Sequence, residues 1–292
     1  MPDPVPEPRQ EQPRDAPATP DTSVDIRVVE VADLPKGKML EVDDVTLRFG
    51  GVTALDGVSF HINTGEILGL IGPNGAGKTT CFNVMTGVYQ PTSGGVRFLA
   101  EPLGNRKRFQ ITKLGIARTF QNIRLFHNMT ALENVLVGAD AHHSTGMASA
   151  LLRLPKHRRE EAEGVERAQE LLAFMGLSRR ADELARNLPY GDQRRLEIAR
   201  ALATNPKLLC LDEPAAGFNP AEKVKLLELI QSIREQGYTV LLIEHDMKLV
   251  MGVTDRIVVL EFGRKIAEGP PAEIRDNPAV ISAYLGVDES AS

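Results

Sequence analysis

"ILGLIGPNGAGKTTCFNVM", residues 67–85, passes from an unbroken apolar run through a glycine-rich turn into a helical pattern. "ILGLIG" reads as a strand buried on both faces. "GPNGAGKTT" (72–80) matches G-x-x-x-x-G-K-[ST]. Glycines in such a turn let the backbone aim N–H groups inward at phosphate oxygens, and the helix N-terminus behind adds positive potential. The cradle comprises Gly72, Pro73, Asn74, Gly75, Ala76, Gly77, Lys78, Thr79 and Thr80. Lys78 is expected to reach the β- and γ-phosphates of ATP, with the Thr79 hydroxyl on Mg²⁺. Strand, glycine turn, helix predicts a parallel α/β sheet of the P-loop NTPase class.

Two downstream strands complete the pattern. "KLLCLDEP" (207–214) is apolar until it delivers Asp212 and Glu213 at its carboxyl end, where ligands gather in α/β sheets. Asp212 is expected to hold Mg²⁺ through water, and Glu213 to polarise an attacking water as general base. "LLIEHD" (241–246) ends a third buried strand with His245. A lone His is often structural, but a strand beside that of Asp212 would bring His245 to the γ-phosphate. Upstream, "VTLRFG" and "VSFHIN" alternate apolar and polar residues, as half-buried strands do. "RIVVLEFGRKIAEG" reads as a hairpin around "EFGR", and "PAEIRDN" and "AVISAYLG" as short closing helices.

Between these strands, roughly Ile111–Ala203 reads as mostly helical. "EEAEGVERAQELLAFMGL" lines Val165, Ala168, Leu171, Leu172 and Met175 along one face, with Gly176 as its C-cap. In "LPYGDQRRLEIARAL" (188–202), Leu196, Ile198, Ala199 and Leu202 form an apolar stripe, with Arg194, Arg195 and Arg200 read as lying on other faces. Residues 1–37 are rich in Pro and acids and poor in large apolar groups, so a disordered leader is expected there. The folded domain is placed at 38–287, with a helical subdomain at about 112–203 and a flexible tail at 288–292. The composition is that of an ordinary globular protein, 42% hydrophobic and 25% charged. A net charge of −5, no Trp and 5% aromatics give no footprint for a nucleic-acid partner. No run of about 18 apolar residues suggests a membrane span, and no basic-then-apolar leader suggests a secretory signal. Cys81 and Cys210 lie in apolar segments and read as small buried hydrophobes, as a reducing cytosol permits.

The phosphate loop, "RTFQN" with Gln121, the helix start at 188, "LDEP" and "EHD", in that order, resemble the nucleotide-binding subunit of an ABC transporter over about residues 39–287. The resemblance implies a mostly parallel RecA-like core sheet, an N-terminal antiparallel β subdomain and an inserted helical subdomain. It implies that Phe49 stacks on adenine and that Gln121 touches Mg²⁺ and the attacking water. It implies that "AAGFNP" (215–220) crosses a dimer interface, with Asn219 where the family usually has Asp. Residues Leu188, Pro189, Tyr190, Gly191 and Asp192 would close over ATP held by another subunit. Against the usual L-S-G-G-Q, Leu188 and Gly191 are kept, while Pro189, Tyr190 and Asp192 depart. Pro189 replaces a Ser hydroxyl, a loss of about 1.5–3 kcal/mol if nothing substitutes for that bond to a charged group. Asp192 favours a helix N-terminus but would repel phosphate if turned toward it.

"GIARTFQNIRLFHNMTALENVLVG", "LDEPAAGFNP", "GPPAEIRDNPAVISAYLG" and the insert "HHSTG…LLRLPKHRREEAEG" are similar to the LivG-type ATP-binding subunits of branched-chain amino-acid importers. Relatives on the same framework serve urea and short amides, or drive lipopolysaccharide export. A soluble ABC ATPase of DNA repair or translation would carry two cassettes or a long coiled coil with a Cys-based hook, neither of which is present. A regulator without turnover would not need Glu213 and His245. The resemblance implies an ATPase using ATP and Mg²⁺. Its expected partners are a second cassette (a sister subunit or itself), two membrane permeases and, indirectly, a periplasmic binding protein. Its expected place is the cytoplasmic face of the bacterial inner membrane.

Overall fold

A computed structural model describes residues 20–26, 36–140 and 155–285. The tail expected at 288–292, most of the leader and the first part of the insert lie outside the described residues. Two sheets form the scaffold. A four-stranded antiparallel sheet has the order β2-β1-β4-β5, from β1 (Lys38–Phe49), β2 (Val52–Asn63), β4 (Ser93–Phe98) and β5 (Glu101–Pro102). A six-stranded sheet has the order β10-β9-β3-β8-β7-β6. It contains β3 (Ile67–Ile71), β6 (Ile116–Arg118), β7 (Leu208–Asp212), β8 (Thr239–Ile243), β9 (Arg256–Glu261) and β10 (Arg264–Gly269). Pairing is parallel from β9 through β6, and only β9–β10 is antiparallel, through the turn at Phe262–Gly263.

All five positions of β3, β7 and β8 are buried. Alternation then sends neighbouring side chains to opposite faces. Leu209, Leu211, Val240 and Leu242 join one core with Leu171, Phe174, Ile198, Leu229 and Ile230. Leu208, Cys210, Leu241 and Ile243 join another with Phe82, Leu55 and Val58. The central sheet is thus covered by the helical lobe and the helix Pro220–Glu235 on one side and by α1 (Lys78–Met85) and the antiparallel sheet on the other.

After α2 (Arg108–Leu114), the helical lobe comprises α3 (Ala131–Ala139), α4 (Pro155–Phe174) and α5 (Tyr190–Ala203). Gly176 adopts φ 70°, and its amide and that of Leu177 close on Ala173 and Leu172 carbonyls, ending α4 as expected. The lobe starts later than about residue 112. Ile116–Arg118 is a strand of the core sheet, paired with Leu208–Cys210. Three residues behind Gly115 carry no readable period.

The leader also departs from expectation. Within it, Ile26 is fully buried and Val24 packs against the same core. The Ile26 amide donates to Gln236 Oε1 (3.1 Å), and its carbonyl accepts from the Tyr238 hydroxyl (2.8 Å) and from Arg167. Asp21 N donates to Ala173 O (3.3 Å). Two apolar side chains, Ile26 and Val24, with satisfied backbone polar groups seat this short segment.

Candidate nucleotide site

The carboxyl ends of β3, β7 and β8 lie level. Leu70 pairs with Ile243, and Asp212 with Ile243 on the other side. The loops that follow these strands therefore meet at one edge of the sheet, and His245 follows the strand next to that of Asp212. At β3 the chain turns through Gly72 (φ 151°) and Gly77 (φ 97°). A Cβ on Gly72 would sit 2.1 Å from Leu260 O, and one on Gly77 2.9 Å from Ala54 O. Only glycine allows the loop to pack this closely against β9 and β2. The Lys78 ammonium is buried in the loop and donates to Gly72 O (2.7 Å) and Pro73 O (2.9 Å). Burial lowers its pKa, opposed by the nearby Glu213 and Asp212 carboxylates. Thr79 is exposed beside it.

Glu213 collects the other groups. Gln121 Nε2 donates to Glu213 Oε2 (3.1 Å), and His245 Nδ1 lies 3.7 Å from the same oxygen. Glu213 has φ 45°, in the left-handed region that disfavours a side chain, and its amide is fixed to Ile243 O (2.9 Å). Asp212 is buried, and burial raises its pKa against the pull of Arg118. Three separate sequence stretches, at 121, 213 and 245, are thus brought together. The oxygen donors Thr79, Gln121 and Asp212 suit a hard cation such as Mg²⁺. The described residues hold no cluster of three or more His, Cys, Asp or Glu fit for a metal alone.

At the start of α5, the five residues do not share one exposure. Pro189 and Tyr190 are exposed, and Gly191 is half-buried. Leu188 is buried in the helical core. Asp192 is buried too, its carboxylate paired with Arg195 and with Arg180 (3.1 Å). Leu188 and Asp192 therefore turn their side chains into their own lobe, while Pro189, Tyr190 and Gly191 stay at the surface. The Asp192 charge is already held by two guanidinium groups of its own lobe. Tyr190 packs edge-on to Phe218 (6.1 Å between centroids), in the 215–220 loop. Asn219 caps helix α6 (Pro220–Glu235): its side chain accepts from Glu222 N (3.0 Å), and Glu222 returns a bond to its amide (2.8 Å). Phe49 lies half-exposed at the β1–β2 turn, edge-on to Tyr89 at 5.1 Å.

Four residues were not anticipated. Arg118 donates to Asn83 Oδ1 and Thr86 Oγ1 and lies over the rings of Phe82 and Phe120. Glu244 is buried and accepts from Ala215 N (2.9 Å), fastening the loop after β7. Arg194, read as lying off the apolar stripe, and Glu197, given no reading, are both fully buried and paired at 2.9 Å. Their i, i+3 spacing on the face of Ile198 was the available signal.

Comparison with known proteins agrees with this architecture. The family model "ABC transporter" matches residues 55–216. That of "Branched-chain amino acid ATP-binding cassette transporter" matches 264–290. The high-affinity branched-chain amino acid transport ATP-binding protein LivG of Salmonella typhimurium is 51% identical over 249 residues, covering 85% of this chain and 98% of that protein. BraF of Pseudomonas aeruginosa, of the same description, is 50% identical over the same span. Among solved structures, the ADP conformation of an ATP-binding cassette of an ABC transporter superposes with TM-score 0.75 at 34% identity, over 85% of this chain and 99% of that one. A dimeric post-hydrolysis cassette bound to ADP and Pi superposes with TM-score 0.68 at 28% identity, over 80% and 99%.

Proposed function

The chain belongs to the ABC transporter ATP-binding cassettes, and we propose that it hydrolyses ATP to energise the import of branched-chain amino acids through separate membrane permeases. The observation that carries the ATPase reading is the convergence of Gln121 and His245 on Glu213 beside the Lys78 loop. The substrate class rests on the half-identical LivG and BraF relatives and on the matched segment 264–290.

In this reading the loop amides and Lys78 bind the β- and γ-phosphates, and Phe49 meets the adenine. The Glu213 carboxylate takes a proton from water as the water oxygen bonds the γ-phosphorus and the bond from that phosphorus to the β–γ bridging oxygen breaks, releasing ADP and phosphate. Gln121 orients that water through its bond to Glu213, and His245 steadies the γ-phosphate. Thr79, Asp212 and Gln121 would hold Mg²⁺, which when bound neutralises phosphate charge. Tyr190 and Gly191 present the first amides of α5, which have no acceptor in their own helix, to ATP on a second cassette, with Pro189, which lacks an N–H, bordering them. The Asn219 loop borders the same contact. Among the described residues no helix is long and apolar enough to cross a membrane. Permeases must therefore supply the pathway, and the chain acts as a peripheral subunit at the cytoplasmic face. The second cassette is a sister subunit, and a periplasmic binding protein delivers the substrate.

Glu213→Gln is expected to lower turnover at least about 100-fold while keeping ATP binding, and to trap an ATP-bound dimer on size exclusion. Retained steady-state hydrolysis would refute the base assignment. Deleting the gene should abolish radiolabelled leucine uptake by the host cells. Intact leucine uptake with lost urea or short-amide uptake would replace the substrate reading.

A further inference from the structure

Arg194 stands at a junction that the reaction scheme above leaves unused. Its side chain is wholly buried within α5. Nη1 donates to Phe120 O (2.7 Å) and to Glu197 Oε2 (2.9 Å), and Nη2 donates to Gln121 O (2.8 Å). Nη2 also lies 3.4 Å from the Tyr190 hydroxyl. The other Glu197 oxygen, Oε1, accepts from Phe120 N (3.4 Å) and Arg124 N (3.2 Å). Backbone 120–124 is therefore gripped by its carbonyls and its amides from a single turn of one helix.

We propose that Arg194 and Glu197 are positioning residues that bind the Gln121 segment to α5, so that the helix presented to a partner's nucleotide and the group poised on Glu213 move as one body. The inference rests on the roles given above to Gln121 and to the start of α5. A buried ion pair is a poor source of stability, because desolvating both charges offsets their attraction and an apolar pair of like volume does as well. What the pair supplies instead is geometry. A guanidinium fork reaches two successive carbonyls at once, which a lysine ammonium cannot do in the same plane. Tyr190 extends the connection. Its hydroxyl meets Arg194 and its ring meets Phe218, so the loop at 215–220 touches the same junction. A displacement of α5 is then delivered to the Gln121–Glu213 bond of the same chain, 3.1 Å long in the present arrangement.

Arg194→Lys keeps a cation beside Glu197 but loses the fork. In the full chain, ATP turnover is expected to fall about tenfold with ATP affinity unchanged, because the Lys78 loop is untouched. Hydrogen exchange of amides 120–124 should quicken while the interior of α5 stays protected. In a Gln121→Ala background the same substitution should change turnover less than about twofold, because coupled residues are non-additive. An equal loss in both backgrounds, or unchanged exchange at 120–124, overturns the proposal. If Gln121→Ala alone leaves turnover intact, the role of Gln121 fails, and the exchange measurement alone then judges the clamp. Should Arg194→Lys not fold, the paired replacement Arg194→Met with Glu197→Leu removes both charges at similar volume. It must show the same faster exchange at 120–124, and protection as in the parent chain would overturn the proposal.

Discussion

At Asp212 the chain holds a carboxylate that its surroundings disfavour. Burial lifts its pKa above the ordinary aspartate value. A raised folded-state pKa means that the fold prefers the protonated group. Its contribution to stability is full below the unfolded value and is lost as pH rises through the folded one. Asp212→Asn should therefore stabilise the chain at neutral pH, on the order of 1 kcal/mol or about 2–4 °C in melting temperature. The gain should shrink as pH falls toward 4, while turnover is lost. Melting curves at pH 7 and pH 4 test both statements. Pro189 poses the opposite case. It occupies the N-cap of α5 with φ −54° and ψ 152° and provides no side-chain cap. Pro189→Ser should raise stability by about 1 kcal/mol through capping alone. ATP-driven dimerisation measured separately should also tighten if the hydroxyl reaches phosphate. Higher melting with unchanged dimerisation would confine the effect to the cap. At this scale the sequence disclosed what motifs carry: Lys78, Glu213 and His245 each follow a recognisable apolar strand, while Gln121 was marked by its motif "RTFQN" alone. It did not disclose the left-handed backbone of Glu213, which no residue type announces.

Among the elements, α5 carries the most revised reading. Its apolar stripe was plain, yet Arg194 and Glu197 are buried as deeply as the leucines. Helical periodicity sorts residues by polarity and misses charges that are satisfied inside. Asp192 follows the same rule, turned to Arg180 and Arg195 rather than outward. Replacing it by the more usual Gln, Asp192→Gln, should destabilise the chain by up to about 3 kcal/mol by leaving two guanidinium groups under-neutralised. A chemical melt with unchanged midpoint would defeat this expectation. Helix α6 is bounded by local chemistry: Asn219, Pro220 and Glu222 form a capping box with Pro in the first turn. Strand β6 was missed because three residues cannot display alternation, and only its pairing to Leu208–Cys210 reveals it.

Over the whole molecule, the class was legible because three fully buried strands and one glycine turn admit few arrangements, while the antiparallel layer was implied by the family resemblance. The seating of Asp21–Ile26 was not legible, since a single Ile in a Pro- and acid-rich stretch has no period to betray it. Ile26→Ala should cost about 2–3 kcal/mol, read as a lower melting temperature with unchanged ATP affinity. An unshifted melting temperature would mean that the segment adds nothing to the fold. The two cysteines have a practical meaning at the same scale. Cys81 lies in α1 just behind the phosphate loop, and Cys210 in β7 just before Asp212. Both are buried, and burial pushes both thiols up to about 12. The folded chain is therefore nearly inert to alkylating reagents. A single cysteine introduced at an exposed position such as Phe262 would take a fluorophore or spin label alone. Late labelling of Cys81 and Cys210 would time the opening of the core on which the nucleotide site stands.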